Sequence, residues 1–129
     1  MFELETLNVL AVMHEQSKWT VTTDYLTASH SASGRMITDT DRMSFVYLLE
    51  AGDEYCYLHF DHKDWGALSL VSKEPAPVFV TDGEFTIELT HFFEELTSLL
   101  YSIEGNENYG HRFVEEVEKT FQQFYAQQN

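Results

Sequence analysis

Leu89, Phe92, Phe93, Leu96, Leu99, Leu100 and Ile103 recur at three- and four-residue spacing, which constrains this chain more than any other pattern in it. At 3.6 residues per turn they line one side of a helix, with His91, Glu94, Glu95, Ser98 and Ser102 opposite. A helix with one apolar stripe has to bury it against a second layer. Gly105-Asn106-Glu107-Asn108 reads as a stop and a loop. Phe113, Val117, Phe121 and Phe124 then mark a second amphipathic helix. The short connection makes the two helices antiparallel neighbours.

The rest of the chain supplies the partner layer. Lys18 to Leu26 alternates Trp19, Val21 and Thr23 with Thr20, Thr22 and Asp24, as a half-buried strand does. Met43 to Leu49 and Tyr55 to Phe60 flank the polar Glu50-Ala51-Gly52-Asp53-Glu54, which predicts a hairpin. Ala67 to Ser72 and Val78 to Thr81 read as further strands separated by Glu74-Pro75-Ala76-Pro77. Asp82-Gly83 reads as a turn, with the helix beginning near Thr86. Thr27 to Gly34 is small and polar and reads as a flexible loop, with a short strand over Arg35 to Thr38. At the N-terminus, Leu4, Leu7, Leu10 and Ala11, widened by Val9, Val12 and Met13, predict a helix from Glu3 to Gln16. The expected fold is therefore a single α+β domain over residues 1–129. It has an N-terminal helix, an antiparallel sheet of about four to five strands, and two C-terminal amphipathic antiparallel helices packed on that sheet.

The 129 residues carry a formal net charge of −15, unevenly spread. Glu74 to Glu118 holds eleven acids and one base, Arg112, and so carries −10 of the total. Such a field repels nucleic-acid phosphates and anionic lipid, and steers a cationic partner into encounter. Direct nucleic-acid and membrane partners are thus not expected. No apolar run approaches the roughly 20 residues that span a bilayer. Cys56 is the only cysteine, and the early residues Glu3, Glu5 and Glu15 are acidic, so the expectation is a reducing, cytoplasmic home without disulfides.

Recognisable catalytic motifs are absent: there is no Gly-x-Ser-x-Gly elbow, phosphate-cradling loop or dinucleotide fingerprint. Glu94 and Glu95 are adjacent and point about 100° apart on the polar face of a helix, which suits solvated charges better than an acid–base pair. Cys56, between Tyr55 and Tyr57 in a strand, reads as a buried inert thiol. Ser29 and His30 are too close in sequence to form a nucleophile and base without a positioning scaffold. His59, Asp61 and His62 have metal-ligand composition at a strand end. Their spacing resembles the second half of the His-x-His-x-Asp-His motif of metallo-β-lactamase-fold hydrolases, with Tyr57 in place of the first His. They are the weak metal candidate of a chain for which no cofactor is expected.

Ten Phe, seven Tyr and two Trp make up 15% of the chain. The Phe residues fall on core stripes. Tyr25, Tyr47, Tyr55, Tyr57, Tyr101, Tyr109 and Trp65 do not, and aromatic anchors among carboxylates suit binding of a basic protein. In size, acidity and make-up the chain is similar to bacterial immunity proteins that neutralise cationic nuclease toxins and to acidic DNA-mimic inhibitors. That resemblance implies a non-enzymatic protein that occludes a basic partner. The contact residues expected are Asp53, Glu54, Asp61, Asp64, Trp65, Glu94, Glu95, Tyr101, Glu115 and Glu118. The chain also resembles type III secretion chaperones, which implies a homodimer holding an extended client. A metal-dependent enzyme built on His59, Asp61 and His62 is the third reading.

Overall fold

In a computed structural model, described over residues 5–127, the chain forms a curled, mixed sheet of seven strands with four α-helices. The strands are β1 (Glu5–Glu15), β2 (Lys18–Thr23), β3 (His30–Asp39), β4 (Ser44–Ala51), β5 (Glu54–Asp61), β6 (Val78–Thr81) and β7 (Thr86–Glu88). The helices are α1 (Trp65–Lys73), α2 (Phe92–Ile103), α3 (His111–Thr120) and α4 (Gln122–Ala126). The spatial order is β3-β4-β5-β1-β2-β6-β7. β1 runs parallel to β5, β2 runs parallel to β6, and the other pairs are antiparallel. Among the described residues no helix is long and apolar enough to cross a membrane.

The expected four- to five-stranded antiparallel sheet and N-terminal helix are both overturned. Glu5–Glu15 is a strand, and a bulge explains why it looks helical. Val9 pairs with Thr23 and Ala11 with Thr22, which leaves Leu10 as an extra residue. Before the bulge Leu7 and Val9 point into the core. After it, the core side shifts by one to Val12, half-buried opposite Val21, and to His14, which is exposed and stacks on Trp19. The break in alternation produces three-residue spacings that mimic a helix, while Leu10 itself is exposed.

Four further expectations change. Ala67–Ser72 lies in helix α1, which buries Trp65, Leu68, Val71 and Ser72 at helical spacing. The expected loop over Thr27 to Gly34 is half strand: His30, Ser31 and Ala32 pair with Ala51, Glu50 and Leu49, and the register shifts before Arg35 pairs with Leu48. The Asp82-Gly83 turn is present, but Thr86–Glu88 continues as β7 against β6, so the helix starts at Phe92. The last helical segment is interrupted at Phe121 and so forms two helices rather than one.

The helices cover one face of the sheet. Phe45, Trp65, Phe113 and Phe121 form an aromatic cluster there, with ring centroids 5.2 Å apart for Phe45 and Trp65 and 5.5 Å for Trp65 and Phe113. Burying each such ring contributes about 1.5 to 3 kcal/mol. Tyr47, fully buried in β4, fastens the rim of the sheet to the start of α2. Its hydroxyl donates to the Thr90 carbonyl at 2.7 Å and accepts from the Gly34 amide at 3.0 Å. Gly34 has to be glycine there for two reasons. Its φ is +76°, and a Cβ would lie 3.0 Å from the His91 ring.

Tyr47→Phe removes both bonds and leaves the Gly34 amide and Thr90 carbonyl short of a partner. It is expected to destabilise the protein by about 1 to 3 kcal/mol in urea unfolding with an unchanged m-value, whereas Tyr55→Phe, at the exposed start of β5, should be near neutral.

Candidate functional site

Three strands that are remote in sequence bring Glu5, His30 and Cys56 together at one end of the sheet. Glu5 opens β1 and pairs with Cys56 of β5, and His30 opens β3. A carboxylate oxygen, a ring nitrogen and the sulfur all lie within 4.8 Å of one another. His30 and Cys56 are buried, and Glu5 is half-buried. Beside them is a partly open cavity of about 320 Å³, lined by Glu5, Thr27, Ser29, His30, Ala51, Glu54 and Tyr55.

The hydrogen bonds define the protonation pattern. The Thr27 amide donates to His30 Nδ1 at 2.9 Å, so a neutral ring carries its proton on Nε2. Nε2 lies 2.7 Å from Glu5 Oε1 and donates to it. The Tyr25 hydroxyl donates to Glu5 Oε2. Burial pushes the Glu5 carboxyl up, but the bonds from Tyr25, His30 and Cys56 outweigh it and hold the group below its ordinary value. The same bond to Glu5 pushes the Tyr25 hydroxyl up to about 12. Burial first, and Glu5 second, push the Cys56 thiol well above its ordinary range, so it is a protonated donor and not a nucleophile. The sequence held each residue, but nothing in local spacing pointed to the group; Glu5 was expected on a helix and His30 in a loop.

The expected metal set is not assembled. His59 is buried with Nδ1 2.9 Å from Ser44 Oγ, and burial and the Arg42 charge lower its basicity. Asp61 receives a two-pronged clamp from Arg42, Nε to Oδ1 at 2.9 Å and NH2 to Oδ2 at 3.0 Å. His62 is turned to Glu116 at 2.9 Å. Each candidate ligand is thus committed to a different partner, and a guanidinium occupies the carboxylate.

The ten expected contact residues divide. Trp65 is a core residue, 1% exposed, whose indole donates to the Phe60 carbonyl; it anchors the fold and cannot reach a partner. Asp64 is buried against Lys63 at 2.9 Å, and Asp61 is held by Arg42. Glu95 accepts from the Met36 amide at 2.9 Å, and Glu118 accepts from the Gly105 amide at 2.7 Å, so both serve the backbone. Asp53, Glu54, Glu94, Tyr101 and Glu115 are exposed. Glu94 and Tyr101 lie two turns apart on one face of α2, where Tyr101 rests on Phe124. Glu115 flanks His111 at 3.2 Å, with Glu107 on the other side at 3.5 Å. Asp53 and Glu54 belong to the β4–β5 hairpin, and Glu54 lines the cavity beside Glu5.

The chain matches the UPF0738 family, a family of unknown function, over residues 7–121. A UPF0738 protein of Lysinibacillus sphaericus is 42% identical over 74% of this chain and 75% of that protein. A UPF0738 protein of Bacillus subtilis is 34% identical over 92% of this chain and 96% of its own length. One from Staphylococcus epidermidis is 42% identical over 69% and 73% respectively. No solved structure matches the chain.

Two measurements check this geometry. Glu5→Gln offers one acceptor oxygen in place of two and is expected to cost about 1 to 3 kcal/mol, whereas Glu94→Gln, exposed on α2, should be neutral. For Asp61, burial raises the carboxyl pKa, but the Arg42 bonds and charge bring it below the ordinary 3.8. A depressed carboxyl contributes stability that is fully present above its unfolded pKa and lost as pH falls through the folded value. Melting temperature should therefore drop below about pH 4 less steeply in Asp61→Asn than in the parent.

Proposed function

The chain belongs to the UPF0738 family, a family of unknown function, and we propose that it is a non-enzymatic binding protein that occludes a basic protein partner. The supporting observation is how little of the acidity is internally neutralised. Among the described residues only Asp61 and Asp64 have a Lys or Arg ion partner; the remaining ion pairs are to histidines. A carboxylate compensated within the fold offers a partner little, whereas an uncompensated exposed one contributes to long-range attraction and rim pairing.

The contact surface proposed is narrower than the ten residues above. It comprises the outer face of α2 at Glu94 and Tyr101, the connection carrying Glu104 and Glu107, and the first turns of α3 at Glu115. These positions are exposed and follow one another along two packed helices. Tyr101 supplies apolar contact area and the acids supply steering, so the partner's face is basic and grips phosphate by the same residues. On this reading the protein works in the cytoplasm, where such a partner meets nucleic acid.

The protein titrated against a panel of purified cationic nuclease domains, by interferometry at two salt concentrations, is expected to bind one of them saturably and more weakly at high salt. The triple variant Glu94→Gln, Glu107→Gln, Glu115→Gln should lose at least about tenfold in affinity, mainly through a slower on-rate. Absence of saturable binding, or equal binding by the triple variant, refutes the reading.

A further inference from the structure

The geometry points to a zinc-class metal site made by Glu5, His30 and Cys56, with its open coordination position facing the cavity lined by Thr27, Ser29, Glu54 and Tyr55. The site is separate from the proposed partner surface and does not depend on it.

The donor set is the first argument. One oxygen, one nitrogen and one sulfur lie within 4.8 Å of one another, and their mixed hardness suits Zn²⁺ rather than Mg²⁺ or Ca²⁺, which take oxygen ligands. Charge is the second. A carboxylate and a thiolate together cancel the dication, so the loaded site is neutral in a largely buried place. The third is access. Three protein ligands next to a cavity of about 320 Å³ leave a fourth position for water or an exchangeable ligand, unlike the closed four-ligand structural sites. Cys56 belongs to the hydrophobic core, yet its sulfur also lies within 4.8 Å of a carboxylate oxygen and an imidazole nitrogen, which an inert core thiol does not need.

Proton accounting is specific. Glu5 is already ionised. The Cys56 thiol loses its proton to solvent as sulfur takes the metal, which gives one proton released per ion when His30 is neutral. The His30 proton moves from Nε2, which becomes the ligand atom, to Nδ1. Thr27 Oγ1, 3.1 Å from Nδ1, is placed to accept it, while the Thr27 amide gives up its present bond. Loading thus shifts the Thr27–His30 turn and exchanges the His30 and Cys56 hydrogen bonds to Glu5 for bonds to the ion, leaving that from the Tyr25 hydroxyl.

The test uses the full chain stripped with chelator and then titrated with Zn²⁺ by calorimetry in buffers of different ionisation enthalpy, and with Co²⁺ by absorption. The expected result is one equivalent bound, one proton released, and a thiolate-to-Co²⁺ charge-transfer band with the d–d intensity of a four-coordinate ion. Cys56→Ser should abolish the band and weaken Zn²⁺ binding by about tenfold or more, and His30→Gln should do likewise. The double variant His59→Ala, His62→Ala should bind as the parent does. The Co²⁺ band in the unaltered protein needs no variant, so a poorly folding Cys56→Ser does not shelter the idea. Sub-stoichiometric binding, a Co²⁺ spectrum without the thiolate band, or unchanged affinity in a folded Cys56→Ser overturns it.

Discussion

The split pairing of β1 governs the rest of the architecture. Its first four residues pair parallel with β5, and the residues from Val9 onward pair antiparallel with β2. One strand therefore joins two half-sheets, β3-β4-β5 on one side and β2-β6-β7 on the other. The Leu10 bulge lies at the changeover, where an extra residue bends the strand and increases local twist. That bend goes with the curl that brings the Gly34 region of β3 against Thr90 and His91, within reach of the Tyr47 hydroxyl. The parallel stretch before the bulge sets Glu5 beside Cys56, and so the proposed metal site lies on the same strand that joins the half-sheets.

How legible this was depended on whether a segment's signal was local. The β4–β5 hairpin, the strand at Lys18, the strand at Val78 and the body of α2 from Phe92 to Ile103 are legible because alternation or helical spacing runs unbroken through them, whereas the start of that helix is not. β1 looks helical because a bulge changes parity mid-strand, and alternation is the main signal that marks a half-buried strand. Ala67–Ser72 looks like a strand because six residues span fewer than two helical turns; Trp65, three residues before Leu68 and six before Val71, completes the helical spacing. His30 to Ala32 looked like a loop because an edge strand with small polar side chains has little apolar pattern to show.

The candidate site was harder still. The run His59-Phe60-Asp61-His62 looks like a ligand motif, yet His59 and Asp61, on the same side of β5, are taken by Ser44 and Arg42, and the change of direction at the 3-10 turn sends His62 to Glu116. Glu5, His30 and Cys56 meet only through strand pairing, which no spacing encodes. Of the acidic contacts, Glu95 and Glu118 show the same limit: a carboxylate on the polar side of a helix can be spent on a backbone amide of a neighbouring segment, and only the fold reveals it.

Glu95 has one more consequence. By accepting from the Met36 amide it occupies a donor on β3, the outermost strand at that end of the sheet, while the opposite margin is the three-residue β7. The register shift between Ala32 and Arg35 interrupts the β3 border a second time, and short or interrupted borders are poor templates for a foreign strand. A protein with this much β-structure and this many aromatic side chains is thereby guarded against templated fibre formation, and it is guarded by the same helix whose outward face carries the charge.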